Sequence, residues 1–324
     1  MSNFHIGVDL GGTHLRAALV NTQDGQILTS QKEPTHAHEG HQPVMERMVY
    51  LIQAVLQEAG ISIENIGGIG VGVPGTPDLL TGDVKFLPNL PGNWRDVPLS
   101  RFLNQQLKLP VYLLNDVRCV ALAEWRFGAG RGVENMVCYA IGTGIGGGVV
   151  LNGKLHLGID GTAGELGHQV VELNGVPCGC GGRGCLEMYA SGPAIAAMGA
   201  KFVLHGHTTR IGELVNYDIG KITAATVVIA ANEGDPTAQF ILQQAGSYLG
   251  IAVSSVIVTL SPQKIVFGGG VAEAGDLLLG PVRKTIIERV HMVPLDKVQF
   301  VRAELGNQAG LVGAAYWPVV CTQK

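Results

Sequence analysis

His168, Cys178, Cys180 and Cys185 are four potential metal ligands in one short stretch, interleaved with Gly179, Gly181, Gly182 and Gly184. Three thiolates and one imidazole complete a tetrahedral Cys3His set with no open position, which describes a structural zinc rather than a hydrolytic one. Three cysteines so close together among glycines do not read as a hydrophobic core, and the glycines let the chain wrap an ion. Two carboxylates bracket the cluster. Glu165 precedes His168 by three residues, so a helical turn would put both on one face. Glu187 follows Cys185 by two. Carboxylates anchored beside a metal clamp suit vicinal hydroxyls, which donate hydrogen bonds to charged acceptors; a solvated surface is the plainer alternative. Cys119, Cys138 and Cys321 lie in apolar stretches and read as ordinary buried residues.

A second group of residues is suited to phosphate. Asp9-Leu10-Gly11-Gly12-Thr13 places a carboxylate at a strand end, then two glycines, then a hydroxyl. Glycines let backbone N–H groups converge on an anion, and an Asp nearby can hold Mg²⁺, usually through water. The run from Gly142 through Thr143 and Gly144 to Gly148 offers another such cradle. Neither is followed by Gly-Lys-Ser/Thr, and strands rather than helices follow both, so neither is a Walker loop or a Rossmann fingerprint. Paired, they point to ATP held in a cleft between two domains. Gly268-Gly269-Gly270 follows a strand and suits close approach to a nucleoside, or is simply a tight turn. Asp116, after Asn115 at a strand-to-helix junction, is either a helix N-cap or a general base. Near a helix N-terminus its pKa is expected to stay close to the ordinary value.

The elements that must position these groups follow from apolar patterning. Strands are expected at 4–9, 15–20, 26–31, 66–73, 111–115, 136–141 and 264–267, with a further strand running through Leu151. Helices are expected at 44–59, 116–127, 236–260 and 310–317, and another opening at Gly268–Gly270. Val44, Met48, Leu51, Ile52 and Val55 share one face of the first. The strand–glycine-turn–strand unit at 6–20 recurs at 137–151, as an internally duplicated α/β protein would show. At 324 residues, two domains are expected, and 46% hydrophobic with 15% charged residues leaves ample core and argues against disorder. The net charge of −4, with no Lys/Arg block, excludes a nucleic-acid partner. Asp9 interrupts the first apolar run, so no signal peptide is expected, and cysteine usage fits a reducing compartment. The uncharged stretch between Asp235 and Lys264 contains several glutamines and reads as a buried helix, not a membrane span. His36, His38 and His41 fall in what reads as a solvated loop.

Seven segments together, VDLGGTHLRAALV, PNLPGNW, LLNDVRCVALAEW, AIGTGIGGGVVLNGKL, GTAGELGH, CGCGGRGCLEMYASG and IVFGGGV, resemble the successive signatures of the ROK family of repressors and sugar kinases, in order from about residue 5 to 315. The resemblance implies an α/β, actin-like ATPase fold of the hexokinase type, with two duplicated domains: 1–115 plus about 305–324, and 116–304 carrying the zinc. It implies phosphate contacts from Asp9, Gly11, Gly12, Thr13, Gly142, Thr143 and Gly144, and adenosine near Gly268, Gly269 and Gly270. Asp116 becomes the base for a sugar's primary hydroxyl, and Gly75, Asn89, Asn115, Glu165, His168 and Glu187 become sugar contacts. Zinc falls on His168, Cys178, Cys180 and Cys185, and Mg²⁺ accompanies ATP. His14 stands where many members carry Lys. The implied activity is ATP-dependent phosphorylation of a hexose, glucose first, with N-acetylhexosamine, N-acetylmannosamine, allose and fructose as alternatives. A cytoplasmic homodimer or homotetramer is expected. The non-enzymatic alternative is a sugar-sensing regulator; with the first phosphate signature at Gly7, no DNA-binding domain is expected before it.

Overall fold

The computed structural model describes residues 2–87 and 90–322. The chain divides into two compact units, one of Met1–Glu134, Gly148–Gly164 and Glu304–Lys324, the other of Asn135–Gly147 and Glu165–Ala303. This division differs from a boundary at 115/116, since residues 116–134 and 148–164 lie with the first unit.

The first unit opens with an antiparallel meander of β1 (Phe4–Leu10), β2 (His14–Asn21) and β3 (Gln26–Pro34). Helix α1 (His41–Ala59) crosses to β4 (Ile66–Val73), which runs parallel to β1. A short ribbon of β5 (Thr76–Pro77) and β6 (Val84–Phe86) precedes α2 (Leu99–Leu107). Strand β7 (Val111–Asn115), parallel to β4, passes directly into α3 (Asp116–Phe127). The sheet order is β3-β2-β1-β4-β7. The five apolar residues expected on one face of α1 are all buried, in a core shared with β1, β4, α2 and the strands between.

Strand β8 (Met136–Ile141) turns through three residues into β9 (Ile145–Leu151), which leaves the second unit after Gly147. The far end of β9 pairs with β10 (Lys154–Leu155) in the first unit. The second unit continues with α4 (Glu187–Ala190), α5 (Gly192–Leu204), α6 (Arg210–Leu214), α7 (Ala224–Asn232) and α8 (Pro236–Leu260). Then come β11 (Lys264–Gly268), α9 (Asp276–Arg289) and β12 (Gln299–Arg302). Strand β11 pairs in parallel with both β8 and β12. The second sheet's order, β10-β9-β8-β11-β12, repeats that of the first strand for strand. The duplication read from the two glycine turns is thus present in the whole sheet connectivity.

Helix α10 (Ala309–Thr322) closes the first unit against α3, β1 and β4. Its backbone lies so close that a Cβ at Gly7 or Gly70 would sit 2.0 Å and 1.8 Å from the Leu311 and Ala314 carbonyl oxygens. That is why these strands are interrupted by glycine. Helix α8 is long and apolar enough to cross a membrane, but 61% of its apolar window is buried within the protein, as in a core helix. The expected helix after Gly268–Gly270 arrives in two steps, a 3-10 turn over Gly270–Ala274 and then α9. The histidine loop also has more structure than expected, because Ala37–Glu39 form a 3-10 turn and His41 opens α1.

Candidate active site

In the first unit the expected groups gather where β1, β4 and β7 end. Asn115, the last residue of β7, is the N-cap of α3, its side-chain oxygen accepting from Val117 N–H (3.1 Å) and Arg118 N–H (3.2 Å). Capping therefore belongs to Asn115, and Asp116 is freed from that task. The Asn115 amide donates in turn to the Gly75 carbonyl (3.2 Å), so two of the expected sugar contacts are joined. Asn89 lies outside the described residues.

The Asp116 carboxylate accepts from Val117 N–H at 2.8 Å, as expected for an acid in the first turn of a helix. Its pKa is nevertheless pushed up to about 7. Burial is the main cause; the Val117 N–H opposes it, and the Asp9 carboxylate adds repulsion. The expectation of an ordinary pKa is overturned, because desolvation outweighs the helix terminus. A carboxyl poised near neutrality is well matched to accepting a proton at physiological pH.

Asp9 ends its strand as expected, but it is paired with Arg16, whose Nε donates to Asp9 Oδ2 at 3.1 Å and whose Nη2 contacts the same oxygen. Sequence reasoning overlooked Arg16. The signal lay in the register: in a hairpin that pairs Leu10 with Leu15, Asp9 must face Arg16. The turn itself is braced from outside. Gly11 N–H donates to the His14 carbonyl (3.0 Å), Thr35 Oγ1 donates to the Gly11 carbonyl (2.6 Å), and Thr35 N–H donates to the Thr13 carbonyl (2.9 Å). Thr35 is fully buried, and its role was also missed. Gly12, Thr13 and His14 are exposed at the tip.

In the second unit the turn is tighter than the sequence suggested, since Ile145–Gly148 already belong to β9. Gly142 N–H donates across it to the Gly144 carbonyl (2.8 Å), and Thr143 is exposed. The glycine run after β11 abuts the same strand end. Gly269 has φ of 85°, and a Cβ there would lie 2.3 Å from the Ile141 carbonyl oxygen. Only glycine meets both conditions.

His168 closes a 3-10 turn over Leu166–His168, with Glu165 immediately before it and His168 N–H donating to the Glu165 carbonyl (3.1 Å). Glu165 is the N-cap of this turn, with non-helical backbone (φ −73°, ψ 57°), and so stands outside the turn that would give it the expected common face with His168. The ligand atoms of His168, Cys178, Cys180 and Cys185 all lie within 4.8 Å of one another. Cys178 Sγ is 3.7 Å from His168 Nδ1, and Cys180 Sγ is 3.7 Å from Cys185 Sγ. Bonds of about 2.3 Å in a tetrahedron put sulfurs roughly 3.8 Å apart, so the donors fit one ion. The Gly182 N–H, 3.4 Å from Cys180 Sγ, holds that thiol below its ordinary pKa, whereas burial pushes Cys185 up to about 12. Glu187 begins α4, half-buried, and its Oε2 accepts from Ile145 N–H at 2.8 Å.

The ROK family model matches residues 5–319. This chain belongs to the ROK family. It is 38% identical to a glucokinase of Thermotoga maritima, over 96% of this chain and 95% of the relative. A ROK family glucokinase from Streptomyces griseus, solved in complex with glucose and AMPPNP, superposes with a TM-score of 0.82 at 32% identity, covering 97% of this chain and 98% of the other. A ROK family transcriptional regulator, a homologue of the E. coli MLC protein, superposes with a TM-score of 0.87 at 30% identity, covering 98% of this chain and 78% of that one. The fold is accordingly the hexokinase-type, actin-like ATPase fold, and within the ROK family that fold serves kinases and regulators alike.

Proposed function

We propose that this ROK protein transfers the γ-phosphoryl group of ATP to the 6-hydroxyl of glucose. The observation that carries the reading is Asp116, a carboxyl freed from capping by Asn115 and raised by burial to about 7. In the transfer, Asp116 accepts the hydroxyl proton as the sugar oxygen bonds to the γ-phosphorus and the bond to the ADP oxygen breaks. The loose transition state of such reactions asks for positioning and charge neutralisation more than for strong base catalysis. Within the turns at Gly11–Thr13 and Gly142–Gly144, the backbone N–H groups of Gly12, Thr13, Thr143 and Gly144 serve the phosphates, since those of Gly11 and Gly142 close the turns themselves, and Gly268–Gly270 receive the adenosine. Mg²⁺ arrives with ATP, and Asp9 is the carboxylate available to it, directly or through water.

Glu165, His168 and Glu187 orient the sugar, with Asn115, Gly75 and Asn89 as further contacts. His168, Cys178, Cys180 and Cys185 hold a zinc ion that, when bound, fixes this segment and takes no part in the chemistry. Likeness to glucokinases at 38% and 32% identity supports glucose over other hexoses. A second reading, a sugar-sensing regulator without turnover, is favoured by the close superposition on the transcriptional regulator. A panel of glucose, mannose, N-acetylglucosamine, N-acetylmannosamine, allose and fructose, scored by kcat/KM for ADP formation, separates these readings. Glucose is expected to rank first. Another sugar in front moves the assignment, and no turnover with any sugar favours the regulator.

A further inference from the structure

Helix α4 and the residue that starts α5 are tied to the second phosphate turn at both of its ends. Gly192 N–H donates to the Gly142 carbonyl at 2.8 Å, on the near side of the turn. Glu187 Oε2 accepts from Ile145 N–H at 2.8 Å, on the far side. Gly144 lies so close that a Cβ on it would stand 2.4 Å from the same Glu187 oxygen. The carboxylate is thus packed against the turn as well as bonded to it. Cys185, two residues earlier, belongs to the thiol cluster, so the turn is braced by a short segment anchored in that cluster.

We propose that Glu187 is shared between the two substrates: it positions the Gly142–Gly144 turn for nucleotide phosphate while its carboxylate also receives the sugar, so that each ligand strengthens binding of the other. This rests on the kinase reading above. A carboxylate offers two oxygens with about four lone-pair sites, so accepting from Ile145 leaves capacity for a sugar hydroxyl. A hydroxyl bound there pins the carboxylate and with it the turn, lowering the ordering cost of nucleotide binding. By linkage, nucleotide on the turn must raise sugar affinity by the same factor. An ordinary sugar contact would have no effect on nucleotide bound without sugar.

The test is calorimetric titration of the metal-loaded full chain with AMPPNP in the absence of sugar. Glu187→Ala is expected to weaken AMPPNP about tenfold, the scale of one charge-assisted hydrogen bond. Glu187→Gln, which keeps an acceptor for Ile145 N–H, is expected to stay within about twofold of wild type. Unchanged affinity in Glu187→Ala beside a wild type that binds AMPPNP overturns the shared role and leaves the kinase reading standing. A wild type that binds no AMPPNP overturns both. Gly144→Ala gives the reciprocal measurement and decides the matter if Glu187→Ala does not fold. Its new methyl displaces only the tip of a flexible side chain, and glucose titrated without nucleotide should bind about tenfold more weakly. Unchanged glucose affinity there contradicts the proposal.

Discussion

Asp116 is the carboxyl proposed as base, and its environment gives two opposed pH effects. As a base it must be ionised, so kcat/KM is expected to fall as pH drops through about 7, where burial has moved its pKa. A profile flat down to pH 5 would remove Asp116 from the base role. For stability the sign is reversed. The unfolded Asp titrates near 4, so the folded state holds its proton over the range from about 4 to about 7. Its contribution to stability is therefore present below pH 4 and is lost as pH rises through 7. Asp116→Asn, which cannot ionise, should be more stable than wild type at pH 8 by about 4 kcal/mol, with the gain vanishing near pH 4. Equal denaturation midpoints at pH 8 would mean that the carboxyl is not raised by burial.

At the scale of the element, α3 is held in place by a buried carboxylate bonded to backbone N–H groups. Glu124 is fully buried, and its two oxygens accept from three backbone N–H groups, those of Ala129 (2.9 Å), Glu304 (3.0 Å) and Leu305 (2.8 Å). A glutamine has one acceptor oxygen and would turn an NH₂ toward an N–H. Glu124→Gln should cost about 2 kcal/mol, read as a lower urea midpoint; an unchanged midpoint would show that these N–H groups do not depend on the carboxylate. Nothing in the sequence singled out Glu124, because its partners are more than 170 residues away along the chain in two cases. Local patterning did announce α8 from Pro236 to Leu260, since Pro at the first position and an apolar run are local signals. It also announced both glycine hairpins and the cysteine cluster. It could not assign the cap to Asn115 over Asp116, because adjacent Asn and Asp are equally good caps by type. Arg16 and Thr35 escaped for a related reason: their roles come from strand register and burial.

For the whole molecule, the repeated sheet order is the deepest regularity, and each copy presents one glycine turn. The second copy differs by carrying the Cys3His cluster, whereas the group of possible ligands in the described residues of the first is the exposed set His36, His38 and Glu39. Cys180→Ala should abolish stoichiometric zinc by metal analysis and lower Tm by about 5 °C or more, since metal binding in such sites is folding energy. Full zinc content in that variant would contradict the ligand set. The central claim, phosphoryl transfer to glucose with Asp116 as base, is tested most directly by ³¹P NMR of the full chain with Mg-ATP and glucose. Wild type should convert ATP into equimolar ADP and glucose 6-phosphate, while Asp116→Asn should be slower by about 10² or more. ATP and glucose left unchanged by the wild type, or a variant as fast as the wild type, would contradict the account.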